Sequence, residues 1–108
     1  MTTVLASKPS WQIQVQEIDD QIIELEQMKL GYTGAALRHE NQAERLQFED
    51  KAYLETRRHL ELAQQNREMA ARIQVEIDRL KERRISILRQ NGQGDKLPPP
   101  GGDSYEDI

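Results

Sequence analysis

His39 and His59 are the only imidazoles in the chain, and any acid–base or metal chemistry turns on where they fall. His39-Glu40-Asn41-Gln42-Ala43 opens like the helical zinc motif His-Glu-x-x-His. That motif places two imidazoles one helical turn apart on one face, with the glutamate as base. Ala43 stands where the second histidine belongs, so one imidazole alone would face an ion. His39 reads instead as a polar residue in a helix seam that fixes register, and His59, twenty residues on, as a surface residue. There is no Glu-x-x-His of the kind that carboxylate-bridged di-iron bundles use. A glycine-rich phosphate loop and a nucleophile elbow are missing too. With no cysteine, thiolate chemistry, disulfides and cysteine-ligated zinc are excluded. The sequence points to no catalytic residues, no metal and no cofactor, hence to a protein that is not an enzyme.

Two charged segments invite a binding role. Arg79, Lys81, Arg83, Arg84 and Arg89 crowd together with only Glu82 among them. Such a cluster binds the phosphates of a nucleic acid or docks an acidic peptide. It also suits the negative C-terminal end of a helix dipole as a plain solvated face. A net charge of -4 and an aromatic content of 5% weigh against nucleic acid. The closing Asp103-Ser104-Tyr105-Glu106-Asp107-Ile108 offers Tyr105 and Ile108 as handles for a partner groove, or simply solubilises a terminus. Trp11, the one tryptophan, sits where it would anchor a first helical turn.

These residues need elements to hold them. The hydrophobic fraction is 36%, charged residues are 31% and the mean hydropathy is -0.85. That fits long solvated helices better than a compact globule. A helix is expected over residues 10–30, after an N-terminal arm of residues 1–9, with Ser10 beside Pro9 marking its start. Its apolar stripe is Ile18, Ile22 and Leu25, with Ile13 outside it. Gly31 and Gly34 then predict a turn over 31–34. From 35 to 91 there is neither glycine nor proline, and Ala, Leu, Glu, Gln, Arg and Lys dominate. These residues lose little freedom on entering a helix, so one very long helix is predicted, closing at Asn91-Gly92. Asp78–Lys81, Glu68–Arg72 and Glu76–Arg79 are acid-before-base pairs that support it. Residues 92–108, with Pro98, Pro99 and Pro100 among glycines, read as a flexible acidic tail.

The most specific pattern is a heptad recurrence: Ile18, Leu25, Tyr32, His39, Leu46, Tyr53, Leu60. Its companion row is interrupted by Lys29, Asp50 and Arg57. After Leu60 the phase changes, with Ala63, Ala70 and Ile77 in one row and Ile73, Leu80 and Ile87 in the other. A phase shift marks either an adjusted supercoil or a bend near 62–67. The fold class predicted is all-α: an elongated hairpin of a short and a very long helix forming a coiled coil.

Lengths carry the functional expectation. At about 1.5 Å per residue the two helices would span roughly 30 Å and 85 Å, so the first covers only part of the second. Leaving the remaining seam wet, at about 1.5–3 kcal/mol per Leu or Ile, argues for a second copy or a partner helix. The expected partner seam is Leu46, Tyr53, Leu60, Ala70, Ile73, Ile77, Leu80 and Ile87. The function implied is a structural or scaffold protein that self-associates within a larger assembly, such as a virion or a secretion apparatus. The alternatives are an adaptor or chaperone that holds a client helix, and a nucleic-acid-associated protein using 79–89. No secretory leader or run of roughly 20 apolar residues is legible, which implies a soluble chain, cytoplasmic or within an assembly.

Overall fold

A computed structural model describes residues 8–49 and 52–93. The first seven residues, residues 50–51 and the tail from Gly94 onward lie outside that description, and with them the Tyr105 and Ile108 motif.

The described residues form two helices: α1, Ser10–Leu46, and α2, Tyr53–Gln90. They run antiparallel as a hairpin of about 61 × 16 × 13 Å. Pro9 precedes α1, and its carbonyl accepts the Gln12 and Ile13 amides at 2.9 and 3.3 Å. Proline suits this place because its fixed φ and missing N–H cost a helix entrance nothing. At the far end Gly92 takes φ +74°, which a side chain would strain. The Gln93 amide reaches back to Leu88 O at 2.8 Å and the Gly92 amide to Arg89 O at 3.2 Å. Together these form the paired bonds of a Schellman stop, at the Asn91-Gly92 position expected.

The elongated all-α hairpin is as predicted, but the reversal is elsewhere. α1 runs straight through Gly31 and Gly34, and the chain turns between Leu46 and Tyr53, so the helices are nearly equal, at 37 and 38 residues. The cause is the seam. On α1, steps of four and three residues run without interruption through Trp11, Val15, Ile18, Ile22, Leu25, Lys29, Tyr32, Ala36, His39, Ala43 and Leu46. Every one of them is buried or half-buried. A mid-helix glycine costs about 1 kcal/mol against alanine. Breaking the helix at 31–34 would detach Tyr32, Ala36, His39, Ala43 and Leu46 from that seam, which costs more. From Ala52, just before α2, the same rhythm links Thr56, His59, Ala63, Asn66, Ala70, Ile73, Ile77, Leu80, Arg84 and Ile87, again all buried or half-buried. The phase change is therefore the chain reversal itself, and α2 continues unbroken through 62–67.

The hairpin is graded along its length. Near the termini, Ile18, Leu80 and Ile87 form a core against which Trp11, Val15, Ile22 and Leu25 pack, so Trp11 anchors the first turn as expected and Ile13 stays outside. Toward the reversal the buried positions are Leu46 and the alanines Ala36, Ala43, Ala52, Ala63 and Ala70, mostly small side chains that let two backbones approach closely. Polar side chains set the antiparallel register. Asp19 accepts from Arg84 at 2.7 Å, Lys29 donates to Gln74 at 2.6 Å, and Glu40 accepts from Arg67 at 2.8 and 2.6 Å. Lys29 and Arg84 thus occupy seam positions by laying their stems along the partner helix and finding a polar group at its edge.

Candidate functional site

Six of the eight expected seam residues, Leu46, Ala70, Ile73, Ile77, Leu80 and Ile87, are buried. They lie in the seam between the two helices, Leu46 on α1 and the other five on α2. Tyr53 and Leu60 are exposed, at 71% and 50%. Both extend the α1 heptad count past the reversal, where it no longer applies: α2 turns a different face inward, with Thr56 and His59 in the seam. The inference from unequal rods is corrected accordingly. Two helices of nearly equal length cover one another along the seam.

The apolar surface that does remain lies elsewhere. On the outer side of α1, Ile23, Leu30 and Leu37 are more than half exposed, Leu30 at 70%. A spacing of seven residues is two helical turns, so the three line up along one face. Gly34 lies between Leu30 and Leu37 on that face. A Cβ at Gly31 would meet nothing within 4 Å, and one at Gly34 would meet only the Arg38 guanidinium at 3.6 Å. The hairpin's internal packing therefore gives neither glycine a reason. A second exposed group sits near the reversal, where Phe48, Tyr53 and Leu54 are 81%, 71% and 74% exposed.

The basic segment does not form one face. Residues two apart on a helix point to nearly opposite sides, which separates Lys81 from Arg83. Arg79 bonds to Glu76 on its own helix, as the pairing predicted, and Arg84 reaches across to Asp19. Glu68 is taken by Gln64 at 3.2 Å.

His39 takes the polar seam position expected of it. The expectation for His59 is corrected: it lies opposite, its Nδ1 2.9 Å from His39 Nδ1, with ring centroids 5.1 Å apart and planes tilted by 33°. One ring must donate and the other accept. Glu40, which would be the base of a zinc motif, is instead held in a two-point bond by Arg67. Those hydrogen bonds, with the guanidinium charge, keep its carboxyl below the usual glutamate range despite some desolvation. Thr56 Oγ1, one helical turn before His59, is buried and lacks a hydrogen-bond partner among the described residues. Among the described residues no cluster of three or more His, Cys, Asp or Glu is placed to hold a metal, and no helix is long and apolar enough to cross a membrane.

Comparison of the chain with known protein families, with curated proteins and with solved structures finds no significant match.

Proposed function

We propose that this chain is a non-enzymatic structural hairpin that self-associates through the outer face of α1, as a building element of a larger assembly of the virion or secretion-apparatus kind. The observation that carries this reading is the row Ile23, Leu30, Leu37, left in solvent after the hairpin has closed its own seam. Single exposed apolar residues are ordinary on a protein surface, but three in line along two turns each are a helix-docking face.

A second copy, docked antiparallel about a two-fold axis near Leu30, satisfies three features together. Ile23 packs against Leu37 of the partner copy, and Leu30 meets its own equivalent. Gly34 lets the two backbones approach closely, which gives the mid-helix glycine a use. Glu24, Arg38 and Arg45 share one row beside the apolar one. Antiparallel docking sets the acidic half of that flank, Asp20 and Glu24, against the basic half of the partner copy. Such an interface is isologous, as closed dimers require.

The expected strength is modest. Covering a half-exposed Leu or Ile recovers on the order of 1–1.5 kcal/mol, so six such side chains roughly match the lower end of the 4–15 kcal/mol cost of association. Weak pairwise contacts suit a component held many times over in an assembly, where neighbours raise the effective concentration. The exposed group Phe48, Tyr53 and Leu54 favours the secondary reading, an adaptor whose reversal end holds a client's apolar surface.

The chain has no cysteine, so a single introduced thiol reports cleanly. Leu30→Cys is expected to form a disulfide-linked dimer under mild oxidation, because residue 30 lies on the two-fold axis. Val75→Cys, at an exposed position on α2, is expected to stay monomeric. Equal cross-linking at both positions, or at neither, refutes the proposed face.

A further inference from the structure

The cross-helix bonds of the hairpin are of two kinds. Lys29 with Gln74, Asp19 with Arg84 and Glu40 with Arg67 each join a fixed donor to a fixed acceptor. The His39–His59 bond is different. It joins two groups of the same type, each able to offer a lone pair, across helices that hold them 2.9 Å apart.

We propose that His39 and His59 form a two-imidazole site for a divalent first-row transition-metal ion of the zinc and copper class. Imidazole nitrogens bind such ions at about 2.0–2.1 Å. Two ligands at right angles on one ion are then about 2.9 Å apart, and tetrahedral ligands about 3.3 Å. The observed separation meets the first value, and a small side-chain rotation reaches the second. For an ion to take the place of the hydrogen bond, the donor ring moves its proton from Nδ1 to Nε2, which leaves two neutral rings each with an Nδ1 lone pair for the metal.

The surroundings support an ion. The seam positions flanking His39 are Ala36 and Ala43, and Ala63 follows His59, so the seam on either side of the pair is lined by small side chains. Thr56 Oγ1, buried and unpartnered among the described residues on the same face of α2, is a hydroxyl able to bond a metal-held water. With no thiolate in the chain and, among the described residues, no third acidic or imidazole ligand gathered with the pair, water completes the coordination. That places the site with open, moderate-affinity sites rather than with closed structural zinc centres. Because one ligand comes from each helix, the ion staples the alanine-rich half of the hairpin, and binding stabilises the fold by mass action.

Zinc chloride titrated into the full chain, followed by calorimetry and by thermal melting, tests this. One ion per chain and a raised melting temperature are expected, both lost in His39→Gln and in His59→Gln. Circular dichroism of the metal-free variants checks that each still forms the hairpin. In the native chain, proton NMR should show both imidazole Cε1–H signals shifting together as zinc is added, a readout that needs no variant. Absence of one-to-one binding, binding that survives both substitutions, or zinc that leaves either imidazole signal in place overturns the site.

Discussion

Ile77→Ala and Leu60→Ala set the observed seam against the one that heptad counting extends past the reversal. Ile77 is fully buried, at 0% exposure, whereas Leu60 is 50% exposed. Removing the outer carbons of a buried isoleucine costs about 2–5 kcal/mol, because the lost transfer energy is joined by a cavity term. Between two helices the neighbours close in only partly, so about 3 kcal/mol is expected for Ile77. At Leu60 no cavity forms and roughly half of the side chain was already wet, which leaves about 0.5–1.5 kcal/mol. For a domain of this size each kcal/mol moves the melting point by about 4–8 °C. Ile77→Ala should therefore melt roughly 10–25 °C below the parent, and Leu60→Ala within about 10 °C of it. Urea unfolding followed by circular dichroism, with all three chains at one low concentration, gives the comparison free of association. Equal losses, or a larger loss at Leu60, would refute the reversal at 47–52 and restore a seam that runs on through Leu60.

Two further outcomes follow from named contacts. Gly34→Ala is expected to raise helix stability by about 1 kcal/mol while weakening self-association, since a methyl group enters the close approach; thermal melting and concentration-dependent mass read the two effects apart. The Glu40–Arg67 bond gives a pH signature. The folded carboxyl titrates below its unfolded value, which for a free glutamate is about 4.3, so its contribution is complete above the unfolded value and fades as pH falls through the folded one. Both side chains are substantially exposed, so the effect is small. Urea midpoints at pH 6 and pH 3 should differ less in Arg67→Ala than in the parent, and an unchanged difference contradicts the assignment.

The helices and their stop were legible because they rest on local chemistry. Side-chain type supports α-helix, Asn91-Gly92 closes it, and Ile18, Leu25, Leu46, Ala70, Ile77 and Leu80 fall on their observed rows. The reversal was misplaced because glycine is a local signal and the seam a non-local one. At 31–34 two glycines cost about 1 kcal/mol each, but the heptad carries on through Tyr32 and Ala36. At 47–52 no glycine or proline stands. The signal there was the failure of the row itself: Asp50 and Arg57 occupy positions that an α1-type seam would have to bury. His59 was missed for a related reason. Its partner lies twenty residues away, and only once the turn is placed does the count put it opposite His39. The exposed row Ile23, Leu30, Leu37 is a heptad in its own right, but it is recognisable as unclaimed only after the inner seam has been assigned.

The mass of the chain in solution bears most directly on the proposed role. Sedimentation equilibrium across a wide range of protein concentration is predicted to show the monomer of 12.6 kDa giving way to a dimer as concentration rises. Leu30→Glu, which sets a charge at the centre of the outer row of α1, should hold the chain at the monomer mass with its helicity intact. A parent chain that stays monomeric throughout, or a dimer that Leu30→Glu leaves unchanged, contradicts association through that face.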